Sequence, residues 1–224
     1  MTIEVSLEVM LKGIDLVADT AFLTLRGKMG YQDNLLAIKR LDAFAFRFDT
    51  GNPPETLSRL KRLLNTQTLF YNRNKHNFSL RCRWEGGGLE EGVPVDHCHR
   101  QLETQARRTL AGVSSENLRS IGSETRVMLK NVPVFRTEVV VENLDPSVKS
   151  GLSHKLETEL STAPVVVATL GTMWHLALRV ATRGEAEALT RQIVITERRD
   201  RGFLLNPNYQ GFRLLATETM ELVE

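Results

Sequence analysis

The chain has 224 residues, 42% of them hydrophobic, enough to bury a substantial core in one large or two small domains. A formal net charge of +2 with 25% charged residues gives no global basic field, so charge implies no nucleic-acid partner. Cys82 and Cys98 are the two cysteines, no apolar run reaches membrane-spanning length, and Met1 to Leu11 carries no signal-peptide pattern; a soluble cytoplasmic protein with reduced thiols is expected.

In chain order, Ile3, Val5, Leu7, Val9 and Leu11 alternate with Thr2, Glu4, Ser6, Glu8 and Met10, the period-two pattern of a strand with one buried face. After Gly13, the residues Ile14, Val17, Ala18, Ala21, Phe22 and Leu25 recur at helical spacing, and Gly27 and Gly30 end that helix. Leu35 to Ile38 and Leu41 to Phe48 read as two short strands that turn at Lys39-Arg40. Pro53-Pro54-Glu55 opens a helix with Leu57, Leu60 and Leu64 on one side. A hairpin over Leu69 to Arg83 closes a β-α-β-β-α-β unit.

Glu85 to Pro133 begins with Gly86-Gly87-Gly88. Asp96 is placed to cap a helix running to Leu110, and Ser114 a shorter one around Glu116 to Ser120, so this linker is expected to pack on the units it joins. A second unit follows: strand Val134 to Glu142, cap Asp145-Pro146, helix to about Leu160, and strands Val165 to Leu170 and Met173 to Ala181 about a Gly171-Thr172 turn. A helix marked by Ala186, Leu189 and Ile193 and a hairpin over Leu205 to Leu214 complete it.

The two halves look like copies. Asn72 and Asn206, Asn74 and Asn208, and Phe78 and Phe212 are all 134 apart, since 206 − 72 = 134. The same offset carries Val5 and Leu7 onto Val139 and Val141, and Asp42, Phe44 and Phe46 onto Leu176, Leu178 and Val180. The expected architecture is α+β: two ferredoxin-like βαββαβ units in tandem, spanning 1–84 and 134–224, paired as a pseudo-dimer and joined by a partly helical linker over 85–133. Each unit leaves one sheet face bare. The residues there, Ala43, Ala45 and Arg47 in one copy and Met173, His175, Ala177 and Arg179 in the other, are expected to be covered partly by the sister unit.

Asp96-His97-Cys98-His99 is the one cluster with metal-ligand chemistry. Adjacent donors point in different directions and no second CxxC or HxxxH pair exists, so the spacing favours a plain helix start over a metal site. His76, His154 and His175 stand alone, no Ser-His-Asp or Cys-His pairing can be argued, and no Walker or dinucleotide glycine loop occurs; neither a catalytic residue nor a cofactor is called for. Arg198-Arg199-Asp200-Arg201 could hold a phosphate or an acidic partner, although a solvated helix end is the commoner use of such a run. Aromatic residues at period two in Ala43 to Phe48 are similar to an RNA-stacking strand. The equivalent Trp174, Leu176, Leu178 and Val180 are mostly aliphatic, so both strands are expected to pack on helices.

Leu204-Leu205-Asn206-Pro207-Asn208-Tyr209-Gln210-Gly211-Phe212-Arg213-Leu214 resembles the LLxNPxxExYxI ending of the PurS subunit of phosphoribosylformylglycinamidine synthase. Leu170-Gly171-Thr172 through Leu176 resembles that family's V-G-K-x-x-x-L stretch, Glu185-Ala186 its acidic-Ala helix opening, Gly30-Tyr31 after Leu25 its L-G-[FY], and Lys39-Arg40 its basic turn. Arg73 stands where the family has Pro, and Glu85 to Pro133 has no counterpart. The resemblance implies a fused pseudo-dimer of a subunit without an active site of its own, possessing no cofactor. Such a subunit bridges the ATP-dependent synthetase and glutaminase subunits of a ligase in purine biosynthesis. The repeat-signature turns Asn72, Asn74, Phe78, Asn206, Pro207, Asn208 and Phe212 would be candidate partner contacts, with further self-association open. The other reading is a regulatory pair of ferredoxin-like units that senses a small ligand, as in ACT-type domains.

Overall fold

A computed structural model describes residues 1–93, 96–116, 132–161, 164–195, 202–206 and 208–222. β1 (Thr2–Leu11) buries Ile3, Val5, Leu7 and Val9 and leaves Glu4 exposed, as its alternation requires. α1 (Leu16–Lys28) starts where the Asp15 side chain accepts from the backbone N–H groups of Val17 and Ala18. β2 spans Leu35–Asp49, α2 spans Pro53–Thr66 behind an Asn52 cap, and β3 (His76–Trp84) and β4 (Gly87–Gly92) follow. The linker region supplies α3 (Asp96–Glu116). β5 (Val134–Asn143), α4 (Pro146–Leu160, capped by Asp145), β6 (Val165–Arg179), α5 (Arg183–Val194, capped by Thr182) and β7 (Gln210–Met220) complete the order. The strands form a seven-stranded antiparallel sheet in the order β4-β3-β1-β2-β6-β5-β7.

The turns expected at Lys39-Arg40 and Gly171-Thr172 do not exist. β2 and β6 are each one strand of 15 residues running straight through them. Neither dipeptide has the chemistry that forces a reversal, and Gly171 does not adopt the positive φ that Gly30 or Gly86 uses. The repeat offset is not constant either. β2 and β6, like α2 and α5, begin 130 apart (165 − 35), whereas β3 and β7 begin 134 apart (210 − 76). Both offsets are even, so a fixed shift of 134 still laid positions of one strand face on positions of one strand face.

The expected hairpins are also relocated. Residues 72–76 form a turn that launches β3, and the true hairpin is β3–β4, turning at Glu85-Gly86 with Gly86 at φ 83° and Trp84 opposite Gly87. The glycine-rich start of the linker is therefore an edge strand. α3 continues through Gly112 to Glu116; the shorter helix expected toward Ser120 and the Arg198 to Arg201 run fall on residues outside those described.

The chain divides into two compact units that interleave in sequence. The first comprises Met1–Ile14, Leu41–Val95 and Glu142–Thr172, the second Asp15–Arg40, Asp96–Val141 and Met173–Glu224. Each half of the sequence thus gives its first helix to the unit built mainly by the other half: α1 belongs to the second, α4 to the first. In the first unit Leu156 and Leu160 of α4 join Leu57, Leu60 and Leu64 of α2 over Ile3, Leu7, Phe46, Phe48 and Leu80. In the second, Ala18, Ala21 and Leu25 of α1 join Ala186 and Ile193 of α5 over Val139, Trp174, Leu176 and Leu178.

A further layer exists in the second unit. Leu102 and Ala106 of α3 pack with Leu36, Ala37, Val134 and Ala177, burying Ala177 completely. There the cover of the expected bare face is the linker helix. Among the described residues no helix is long and apolar enough to cross a membrane.

Candidate functional site

Strand alternation in the second unit turns two polar sets toward α3. On β5, Phe135, Val139 and Val141 enter the core under α1 and α5, so Arg136 and Glu138 face the other way; on β6, His175 shares that face with Ala177. On α3, His99, Leu102 and Ala106 stand at i, i+3 and i+7, one helical stripe, which brings the His99 ring down on the same face.

The three side chains meet. His99 Nε2 lies 3.0 Å and His175 Nδ1 3.6 Å from the same Glu138 Oε1, the two imidazole centroids are 5.3 Å apart, and the potential ligand atoms all lie within 4.8 Å of one another. Arg136 Nε is 3.3 Å from that oxygen, and the Arg136 guanidinium also pairs with Glu218 of β7. His175 is wholly buried, and burial holds its pKa below the ordinary imidazole value, keeping the ring neutral. The Glu138 carboxyl is held far below the usual carboxylate range by the imidazoles beside it, His175 first and His99 second. The His99 contact has the length of a hydrogen bond without its direction. Both nitrogens of His175 and Nε2 of His99 lack a properly aligned partner.

Of Asp96, His97, Cys98 and His99, the structure brings only His99 into this cluster. Asp96 is exposed as the first residue of α3, His97 Nε2 lies 3.0 Å from Gln101 Nε2, and Cys98 is buried at a different angle around the helix. Glu138 and His175 escaped sequence reasoning. Each was visible only as one polar residue among several in its strand, and nothing local says which distant residue it meets.

The repeated turns match hydrogen bond for hydrogen bond. Asn72 Oδ1 accepts from the Asn74 N–H and Asn206 Oδ1 from the Asn208 N–H, at 2.9 and 3.1 Å. The Asn72 N–H donates to His76 Nδ1 and the Asn206 N–H to Gln210 Oε1, while the carbonyls of Asn72 and Asn206 accept from the backbone N–H groups of His76 and Gln210. Phe78 stacks on Tyr71 with centroids 4.9 Å apart, and Phe212 packs on the core of the second unit under the Arg191 guanidinium. Pro207 lies outside the described residues.

Among the described residues, no helix covers one face of the first unit. Glu4 and Ser6 of β1, Arg47 of β2, Arg81 and Arg83 of β3, and Val166 and Ala168 of β6 line a shallow depression of about 460 Å³. Glu4 stands opposite both Arg47 and Arg83 in register. The rings of Phe44, Phe46 and Phe48 go to the core on the opposite side, where Phe46 stacks on Phe70 with centroids 6.1 Å apart.

Comparison with protein-family models, with curated proteins and with solved structures finds no match to this chain. Its chemistry must be argued from these residues. The arginine-lined face of the first unit is suited to contact with a macromolecular surface, and the closed His-Glu-His cluster to holding a cation or a proton.

Proposed function

We propose that the chain is a cytoplasmic bridging subunit without a reaction of its own, a fused PurS-like pair that links the synthetase and glutaminase subunits of a glutamine-dependent, ATP-consuming ligase of purine biosynthesis. The observation that carries the reading is the interleaving of the two halves. Related segments with hydrogen-bond-identical turns have exchanged their first helices, so neither half completes a core alone, which is the behaviour of an obligate dimer written into one chain. On this reading the halves are two ferredoxin-like units whose middle strands have fused lengthwise, and the open face of the first unit is the docking surface. Its three arginines face an acidic patch on the partner, and Glu4 fixes the orientation.

The test is reconstitution. Glutamine-dependent formation of formylglycinamidine ribonucleotide by the two larger subunits is measured with and without this chain, together with size-exclusion of the mixture. Activity and a three-way complex that both need the chain, and that both weaken in an Arg47→Glu, Arg83→Glu variant, support the reading; if neither responds to the chain, it fails.

A further inference from the structure

We propose that His99, Glu138 and His175 bind one divalent first-row transition cation, with zinc the best fit, and that this ion fastens α3 to the sheet of the second unit. The inference is independent of the bridging role. Two imidazoles and one carboxylate are a ligand set that zinc takes up readily, with a fourth position left for water. Zinc bonds of about 2.1 Å in a tetrahedron place ligand atoms roughly 3.4 Å apart. The separations of 3.0 and 3.6 Å to Glu138 Oε1 already bracket that value. The remaining separation, between the two imidazoles, is no more than 4.8 Å.

The second observation is His175. A fully buried imidazole with neither nitrogen properly hydrogen-bonded is costly to keep, and its Nδ1, 3.6 Å from the Glu138 carboxylate, is within reach of an ion the carboxylate holds. Among the described residues, Arg136 is the cation paired with Glu138, and it has Glu218 to hold it when the Glu138 oxygen turns to the ion. With Glu138 and Glu218 negative and Arg136 positive, a dication meets a net negative surround. Both sheet ligands and α3 belong to the second unit, so the ion would bind a helix from the linker region to the layer it covers.

The experiment uses untagged full-length protein dialysed against a chelator and titrated with Co²⁺, whose visible absorption reports coordination, followed by displacement with Zn²⁺. One equivalent per chain is expected, with a rise in thermal midpoint on zinc addition by mass action. His99→Ala and Glu138→Gln should each weaken binding by about tenfold or more, and His97→Ala should leave it unchanged. The His99 side chain is half-buried where that of His175 is wholly buried, so its variant tests the site even if His175→Ala does not fold; far-UV circular dichroism confirms the fold of each. Absence of both the cobalt band and the zinc-induced stabilisation overturns the proposal. Binding that survives His99→Ala, or that is lost in His97→Ala, does so as well.

Discussion

Leu156→Ala tests the exchange of helices directly. Leu156 sits in α4, in the second half of the sequence, yet its side chain is fully buried in the core of the first unit with Ile3, Leu60 and Leu80. Removing three buried carbons from such a site costs about 3 kcal/mol, the transfer loss plus the cavity left behind. For a chain of this size each kcal/mol lowers the thermal midpoint by about 2–4 °C, so a fall of roughly 6–12 °C is expected. The decisive readout is where protection is lost. Hydrogen exchange under native conditions should speed up in β1, β3, α2 and residues 41–49, while β5, α5 and residues 173–180 keep their rates. The mirror variant Leu25→Ala in α1, equally buried in the other core, should reverse the pattern. If Leu156→Ala instead loosens β5 and residues 173–180 and spares β1 and β3, each half is a self-contained domain and the exchange is refuted.

Further outcomes follow from the same structure. Asn72→Ala and Asn206→Ala each remove one side-chain acceptor from an equivalent turn, and urea unfolding should report similar losses of about 1 kcal/mol; unequal effects would mean the turns are not equivalent. Gly92 has φ 100°, and a Cβ there would meet the Phe78 carbonyl oxygen at 2.0 Å, so Gly92→Ala should destabilise by about 1–3 kcal/mol. Gly151→Ala, on an open position of α4, should stabilise by about 0.5–1 kcal/mol in the same assay. Burial pushes the Cys82 thiol from the ordinary 9.0 up to about 11. The folded state then holds its proton longer than the unfolded state, so this contribution is complete below pH 9 and lost as pH rises toward 11. A Cys82→Ala variant should show a shallower alkaline fall in thermal midpoint, and neither buried thiol should react with Ellman's reagent at neutral pH before unfolding.

What the sequence determined by itself is local. The caps Asp15, Asn52, Asp145 and Thr182, the prolines that open α2 and α4, the alternation of β1 and the twin asparagine turns all follow from side chains acting on backbone a few residues away. Of these, the Asp145 cap, the prolines, the alternation and the paired turns were read from the sequence and placed several elements. Only the tertiary structure decided that Leu35 to Asp49 and Val165 to Arg179 are unbroken strands, because their continuity is rewarded by different cores along their length and not by any residue at Lys39 or Gly171. It alone decided that α1 and α4 change units, since an apolar helix stripe states that it must be buried but not against which sheet. The His99, Glu138 and His175 cluster lies beyond sequence reading for the same reason. Alternation and helical spacing say which way each side chain points, and only the packing of α3 on β5 and β6 makes those directions converge.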